Sequence, residues 1–507
     1  MVAMRKWLPL VAICTGTFML LVDVTIVNVA LPDMATDLDT SFGQLQWVVD
    51  VYALALAALV LGAGSLADLY GRRRLYLIGL VLFAGASLAC GLAPDAGSLV
   101  AARGAQGIGG AIMFATTIAL INTVYEGRDR GTAFGIWGAV SGAAAAIGPI
   151  LGGALTELSW RWIFYVNLPF CVFAVALTLR AVAESRQPGA PRPDLPGIAL
   201  FTLGAGGLVF GLVRAAADGW GAAAAWAPMA GGLAALAVWV VVELRRRAPM
   251  LDVRLFAGRS FTGIMIGSLL LNASAFASLV FTSLWLQSVG GLSPLQAGLV
   301  FVPLSLVSFV VAAAAGRALQ ARPPGPVIGV GLLLVGAGSL LMALVDGDST
   351  WRVLVGGLAV LGLGVGLATP LLASAALAAV PRERSGMASG AVNTARQLGF
   401  ALGVAVLGSV FSAGAAGALR DAGAADPDGT ASALSAGQAG RIVGSAPPAE
   451  RGALADLLGG AYADGLRDVF LVCGAAGVVG GLLVLLLVRA AAPGQAPARR
   501  PEAAVTR

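Results

Sequence analysis

Apolar residues in this chain neither alternate with polar ones nor recur in a narrow helical stripe. They come in long unbroken runs, near residues 8–31, 45–67, 76–93, 99–122, 132–154, 162–181, 195–213, 226–243, 260–282, 295–316, 326–345, 353–375, 388–411 and 468–489. A helix crossing a bilayer core needs about 20 apolar residues. The pattern therefore predicts fourteen spanning helices. Barrel strands are excluded, because the runs are too long and lack period-two alternation. The first run is also too long for the apolar region of a cleavable leader, so it reads as a first span.

The connections carry the charge. With the N-terminus placed in the cytoplasm, most of the 32 Lys and Arg fall on the cytoplasmic side, including the triples Arg72–Arg74 and Arg245–Arg247. The opposite loops are acidic, as in Asp33, Asp37 and Asp39. This follows the positive-inside rule, and an even number of spans returns the C-terminus to the cytoplasm. A Pro-rich charged linker at 182–196 follows the sixth run. The expected organisation is a six-helix bundle over 1–181, then a linker and inserted helix pair over 182–259. A second six-helix bundle follows over 260–489, with a long extracellular loop at 413–468, and 490–507 is a flexible cytoplasmic tail. Two halves of this kind are common among secondary transporters.

Composition agrees. The chain has 507 residues, 58% hydrophobic and only 11% charged, with mean hydropathy +0.88. Soluble domains are about a quarter charged, so the solvent for most of this chain is lipid. The net charge of +6 is then a consequence of topology and not a nucleic-acid footprint. Cys14, Cys90, Cys171 and Cys473 each fall inside an apolar run and read as packed thiols. Histidine is absent, so imidazole metal ligands and histidine proton relays are excluded and proton chemistry falls to carboxylates. No metal or other cofactor is expected. No ATP-binding loop of the G-x-x-x-x-G-K-[ST] type is present.

Charges inside spans are costly and mark function. Asp23 lies well inside the first run, in "FMLLVDVTIVNVALP". It is read either as a packing partner for a neighbouring helix or, preferentially, as a proton site. Asp50, one turn into the second span, is either solvated or a proton or substrate group. Arg103 opens the fourth span, and Arg103, Gln106, Gly107 and Gly110 share one helix face at i, i+3, i+4 and i+7. Arginine keeps its charge and needs a partner, and Asp23 lies at similar depth. A guanidinium nearby favours the ionised carboxylate, and its withdrawal favours the protonated acid. Asn393, Arg396, Gln397 and Phe400 form a second polar face in the thirteenth span, where substrate contact is favoured over a structural ion pair. In the fifth span, Gly138 and Gly142, then Gly148 and Gly152, recur four apart and allow close helix approach.

The stretch "GSLADLYGRRRL" at 64–75 joins the second and third spans. A positive-inside anchor accounts for the arginines but not for Gly64, Asp68 and Gly71. A charge lock that forms in one conformation accounts for all of them. The stretch resembles the signature loop of the major facilitator superfamily. "LVDVTIVNVALP" resembles the first-span motif of that superfamily's fourteen-span drug:proton antiporters, and "RGAQGIGGA" their fourth-span R-x-x-Q-G motif. "GPILGG" resembles their fifth-span antiporter motif, and "PMLDVRLFAGRSF" a cytoplasmic stretch of quaternary ammonium exporters.

The resemblance implies an all-α polytopic membrane protein with the major facilitator fold, two six-helix bundles plus an inserted pair, in the bacterial inner membrane. It implies proton-coupled efflux of amphipathic drugs or antibiotics by alternating access, with no enzymatic activity. The partners are then a small amphipathic organic substrate, protons and the bilayer, and the protein works as a monomer. It assigns Asp23, Arg103 and Asp50 to proton coupling. Gly64, Asp68, Gly71, Arg72 and Arg73 match the gating loop, and Gly148, Pro149, Gly152 and Gly153 the antiporter helix. Asn393, Arg396, Gln397 and Gln106 are the substrate-binding candidates. Export of an endogenous metabolite or lipid precursor stays open beside drug efflux. Two departures stand out. "GRALQARPPGP" lacks the gating aspartate in the second half, and the thirteenth span carries Arg396 and Gln397 where quaternary ammonium exporters tend to carry acids. Neutral or anionic aromatic substrates are expected accordingly.

Overall fold

In hydrocarbon every backbone N–H and C=O must be satisfied within the protein, which favours helices. The computed structural model describes residues 2–40, 42–186, 193–319, 322–435 and 437–488, and these are helical with no strand among them. The first helices are α1 (Val2–Asp37), α2 (Phe42–Tyr70), α3 (Arg72–Gly91), α4 (Ala96–Val124) and α5 (Gly127–Thr156). A short α6 (Trp162–Tyr165) and α7 (Asn167–Ala181) together make one span. Then come α8 (Leu195–Asp218) and α9 (Ala223–Arg245), which pack on each other, with α8 also against α2.

The second half holds α10 (Arg259–Leu271) and α11 (Ala277–Ser288), joined through a π turn into one span. Short α12 (Pro294–Val300) leads into α13 (Val302–Ala318), followed by α14 (Pro324–Met342), α15 (Arg352–Ala378) and α16 (Ser385–Asp421). After α17 (Pro427–Ser435) and α18 (Ala439–Ser445), the long α19 (Arg451–Leu487) closes the fold. Twelve of the spans are long and apolar enough to cross a membrane among the described residues. The fifth and tenth expected runs lie on α5 and α13, which are helical but not among the twelve. The stretch 413–468 is mostly helix. It takes in the end of α16, then α17 and α18, and the start of α19, and Ala431 and Leu434 of α17 are buried. Within the Pro-rich linker, 187–192 lie outside the described residues, as does the tail 490–507.

Large apolar side chains cover the outside. Val172 is 69% exposed, Leu203 68% and Leu486 71%. In water such a surface would be strongly unfavourable, at about 25 cal/mol per Å². Against lipid it costs nothing, which is why the hydrophobic effect does not hold these helices to one another. Close packing does. Gly338 of α14 faces Gly357 and Leu361 of α15, with no room between the two backbones. The two halves meet along α5 against α13 and α15, and along α2 and α4 against α16. At the first seam Gly138 faces Pro370 and Ala312, and Gly142 faces Ser308.

Ends are fixed by polar contacts. Asp95 caps α4 by accepting from Ser98 N at 2.8 Å, an arrangement that satisfies an otherwise free helix donor. Near the far end of α1, Arg161 and Trp160 donate to Asp37 at 2.6 and 2.9 Å and hold its carboxyl below the ordinary value.

A valine at Gly338 would place its Cβ 2.6 Å from Leu361 N and 2.7 Å from Gly357 O, whereas Gly356 has open space around it. Gly338→Val is expected to destabilise the protein by about 1–3 kcal/mol, the range for overpacked sites. Gly356→Val should leave the thermal unfolding midpoint of the detergent-purified protein within error of wild type.

Candidate functional site

The polar groups inside the membrane gather around Asp23. Arg103 and Gln106 share one face of α4, as their i, i+3 spacing requires, and that face meets α1. Arg103 Nη1 donates to Asp23 Oδ2 at 2.6 Å and to Gln106 Oε1 at 2.6 Å, and its Nε donates to the carbonyl of Val48 at 2.9 Å. Asp23 Oδ1 accepts from Gln106 Nε2 at 2.9 Å and from Asn167 Nδ2 at 2.9 Å. Ser87 Oγ accepts from Gln106 Nε2 at 2.8 Å and from Asn167 Nδ2 at 3.3 Å. The Arg103 guanidinium lies 4.1 Å from the Tyr52 ring centre and 5.8 Å from that of Phe164. Asp23 is fully buried and Arg103 is 1% exposed. The network thus joins five helices, α1 to α4 and α7.

Small residues make this contact possible. A Cβ on Gly107 would lie 3.0 Å from Tyr52 O and 2.8 Å from the Ala55 side chain. Gly148 of α5 lies directly against Thr25 and Val22, on the turns of α1 that carry Asp23. Gly152 is buried, and a Cβ on Gly153 would lie 3.8 Å from Leu295 N. The side chain of Pro149 lies outside the described residues. Asp50 is not part of this network. It shares a helix face with Trp47, whose ring packs 5.6 Å from that of Phe210 on α8, and it is half-buried.

The α16 face is separate. Asn393 Nδ2 donates to the carbonyl of Phe114 at 2.8 Å. Arg396 lies 5.4 Å from the ring centre of Phe114 and 5.8 Å from that of Trp137. It reaches Asn393 Oδ1 only at 3.5 Å. Trp137 is held in place by its indole N–H on Thr17 Oγ1 at 3.3 Å. Gln397 is half-buried on the next position of the same helix. Gln106, the other substrate-binding candidate, is on the α4 face beside Asp23.

The 64–75 stretch bonds the first half to the start of α16 in the second. Asp68 Oδ1 accepts from Arg72 Nη2 at 2.6 Å and from Gly386 N at 2.8 Å, and Oδ2 accepts from Met387 N at 2.9 Å. A carboxylate on the free N–H groups at the start of α16 is a favourable helix cap. Arg72 Nη2 also donates to the carbonyls of Arg382 and Glu383, at 3.1 and 2.8 Å. Gly64 lets α2 touch Gly386 and Gly390 of α16 backbone to backbone. Gly71 turns the chain at φ 108°, a region that favours glycine. The Glu184 carboxylate then accepts from the backbone N–H of Arg73 and Arg74, at 3.1 and 3.0 Å, and Arg73 Nη2 donates to Leu179 O at 2.9 Å. The second-half counterpart, "GRALQARPPGP", includes Gln320 and Ala321, which lie outside the described residues.

Asn167, Ser87, Tyr52 and Glu184 were not singled out in the sequence. Asn167, in "FYVNLPF", carried the signal that identified Asp23, a polar residue inside an apolar run. Ser87 and Tyr52 carried none, since both residue types are ordinary in spans.

The sequence pattern of the Major Facilitator Superfamily matches residues 13–404. The chain is 39% identical over 412 residues to the "Multidrug resistance protein Stp" of Mycobacterium tuberculosis (strain CDC 1551 / Oshkosh), covering 80% of this chain and 76% of that one. It is 30% identical over 512 residues to the "Tetracenomycin C resistance and export protein" of Streptomyces glaucescens, covering 99% and 95%. Among solved structures, that of the human organic anion transporter MFSD10 (TETRAN) superposes with TM-score 0.63 at 15% identity, covering 94% of this chain and 99% of that chain, a likeness of fold.

Removing one partner of a buried ion pair leaves an uncompensated charge and costs about 3–5 kcal/mol. Arg103→Gln is therefore expected to lower the thermal unfolding midpoint markedly. The double variant Asp23→Asn, Arg103→Gln should recover most of that loss, because both charges go together. Equal and additive losses would contradict the coupling.

Proposed function

The chain belongs to the major facilitator superfamily, and we propose that it exports amphipathic drugs or antibiotics in exchange for protons. It is a multi-pass membrane protein of a transporter family, not an enzyme. The observation that carries the exchange is the Asp23–Arg103 contact, a fully buried carboxylate held by a permanent cation at 2.6 Å. Asp23 is the proton carrier in this proposal. Arg103 is against the carboxylate in the arrangement described, and relative movement of the helices is what separates the two. Gln106, Asn167 and Ser87 hold it in place meanwhile.

Residues 1–181 and 260–489 act as two six-helix bundles that rock about the substrate, with 182–259 as an inserted pair that brings the spans to fourteen. Both termini lie in the cytoplasm, so the Asp68–Arg72 lock faces the cytoplasm. The arrangement described is closed on that side. Asp68 bonds to the start of α16, so breaking those bonds is part of opening inward. The tight contact of Gly148 with α1 seals the region next to the proton site against leakage. Asp50, set apart on the α8 side of α2, is the second proton candidate. The protein works as a monomer.

A pH difference of one unit supplies about 1.4 kcal/mol per proton, and 100 mV of membrane potential adds about 2.3 kcal/mol per charge. Together they sustain roughly a 500-fold gradient of a neutral substrate for each proton exchanged.

The relatives' names favour antibiotic export, so tetracenomycin C is a fitting first substrate. In proteoliposomes, wild type should accumulate it against its gradient when a pH difference is imposed. Asp23→Asn should abolish gradient-driven accumulation while leaving passive exchange of labelled for unlabelled compound. Accumulation at wild-type rates by Asp23→Asn would overturn the assignment.

A further inference from the structure

Two arginines lie in the membrane interior with very different surroundings. Arg103 has a carboxylate at 2.6 Å. Arg396 has none, and no acid pairs with it among the described residues. Its charge rests on two ring faces, those of Phe114 and Trp137, and on a long contact to Asn393. A cation on an aromatic face is held more weakly than one in a charge-assisted hydrogen bond. An uncompensated guanidinium inside a membrane is costly, and residues of this kind face a substrate path.

The position is equally telling. Arg396 belongs to α16, in the second half, whereas Phe114 is on α4 and Trp137 on α5, in the first. Its charge therefore spans the seam between the halves. Asn393 pins the same seam one turn away, through the carbonyl of Phe114. Any ligand that attracts the guanidinium acts on the contact between the halves.

We propose that Arg396 sets substrate specificity by taking the anionic group of a planar aromatic substrate, whose rings stack on Phe114 and Trp137. This rests on the efflux reading and names its substrate class. The anion displaces the rings as the partner of the guanidinium, because a charged hydrogen bond is stronger than a ring face. Flat aromatic cations meet a fixed positive charge at the same place and bind weakly. A guanidinium offers a fork of donors that matches a carboxylate or phenolate edge, which lysine does not reproduce.

The test is equilibrium binding to the purified full-length protein in detergent, with no proton gradient. Fluorescein, an anion at pH 8, and a rhodamine ester, a cation, share one three-ring skeleton. Fluorescence polarisation is expected to show tighter binding of fluorescein by wild type. Arg396→Gln should weaken fluorescein by tenfold or more while leaving rhodamine equal or tighter, which also shows that the variant is folded. Arg396→Lys should keep part of the fluorescein affinity, and Arg396→Glu should reverse the preference. The proposal is overturned if wild type does not bind fluorescein, or prefers rhodamine, or if Arg396→Gln weakens both dyes alike or neither. Because no gradient is involved, failure here leaves proton-driven efflux standing. Loss of gradient-driven uptake with intact dye selectivity would instead count against the efflux mechanism alone.

Discussion

The interior of this protein depends on one ion pair. Two opposite charges held 2.6 Å apart with almost no exposure are stable only if each has its remaining hydrogen bonds satisfied, because desolvation otherwise exceeds the Coulombic gain. Here the requirement is met from several sides. Asp23 receives donors from Arg103, Gln106 and Asn167, and Arg103 finds the Val48 carbonyl and the Tyr52 ring. Five helices must be in register for this to hold. A shift of any one of them would break hydrogen bonds of the pair, and this dependence on helix position is what the proposed proton exchange builds on.

The rest of the fold is held by close packing. Lipid gives no hydrophobic reason for helices to associate, so the seams are built of small residues that fit closely. Gly64 against Gly386, Gly138 against Pro370 and Gly142 against Ser308 all lie between the halves. At one end the halves are joined by polar bonds through Asp68 and Arg72, and at mid-seam by Asn393 and Arg396. Neutral packing makes up most of the seam, and directional bonds fix it at two places.

Much of this was legible in the sequence, and for a physical reason. A charge or amide in an apolar run is improbable without a role, so Asp23, Arg103, Gln106, Asn393 and Arg396 stood out. Helix periodicity placed Arg103 with Gln106 and Asn393 with Arg396. Pairing across the chain was less accessible. Asn167 meets Asp23 across 144 residues and Gln106 meets it across 83, both only through the fold. Gln106 and Asn393 were both substrate-binding candidates on different spans, and which neighbours each face meets was not readable, since sequence fixes a face but not its neighbour. The acceptors of Arg72 are backbone carbonyls, which any sequence supplies. Residues 413–468 read as a connection because they are rich in Gly and Asp, yet their alanines are strong helix formers, and most of the stretch is helical.

The central claim is that Asp23 exchanges its proton with substrate-linked movement. Purified protein in weakly buffered detergent solution reports this directly, through a pH-sensitive dye, when a compound shown to bind is added. Wild type is expected to exchange about one proton per bound ligand, and Asp23→Asn none while still binding. Binding without any proton exchange by wild type, or exchange undiminished in Asp23→Asn, would contradict the account.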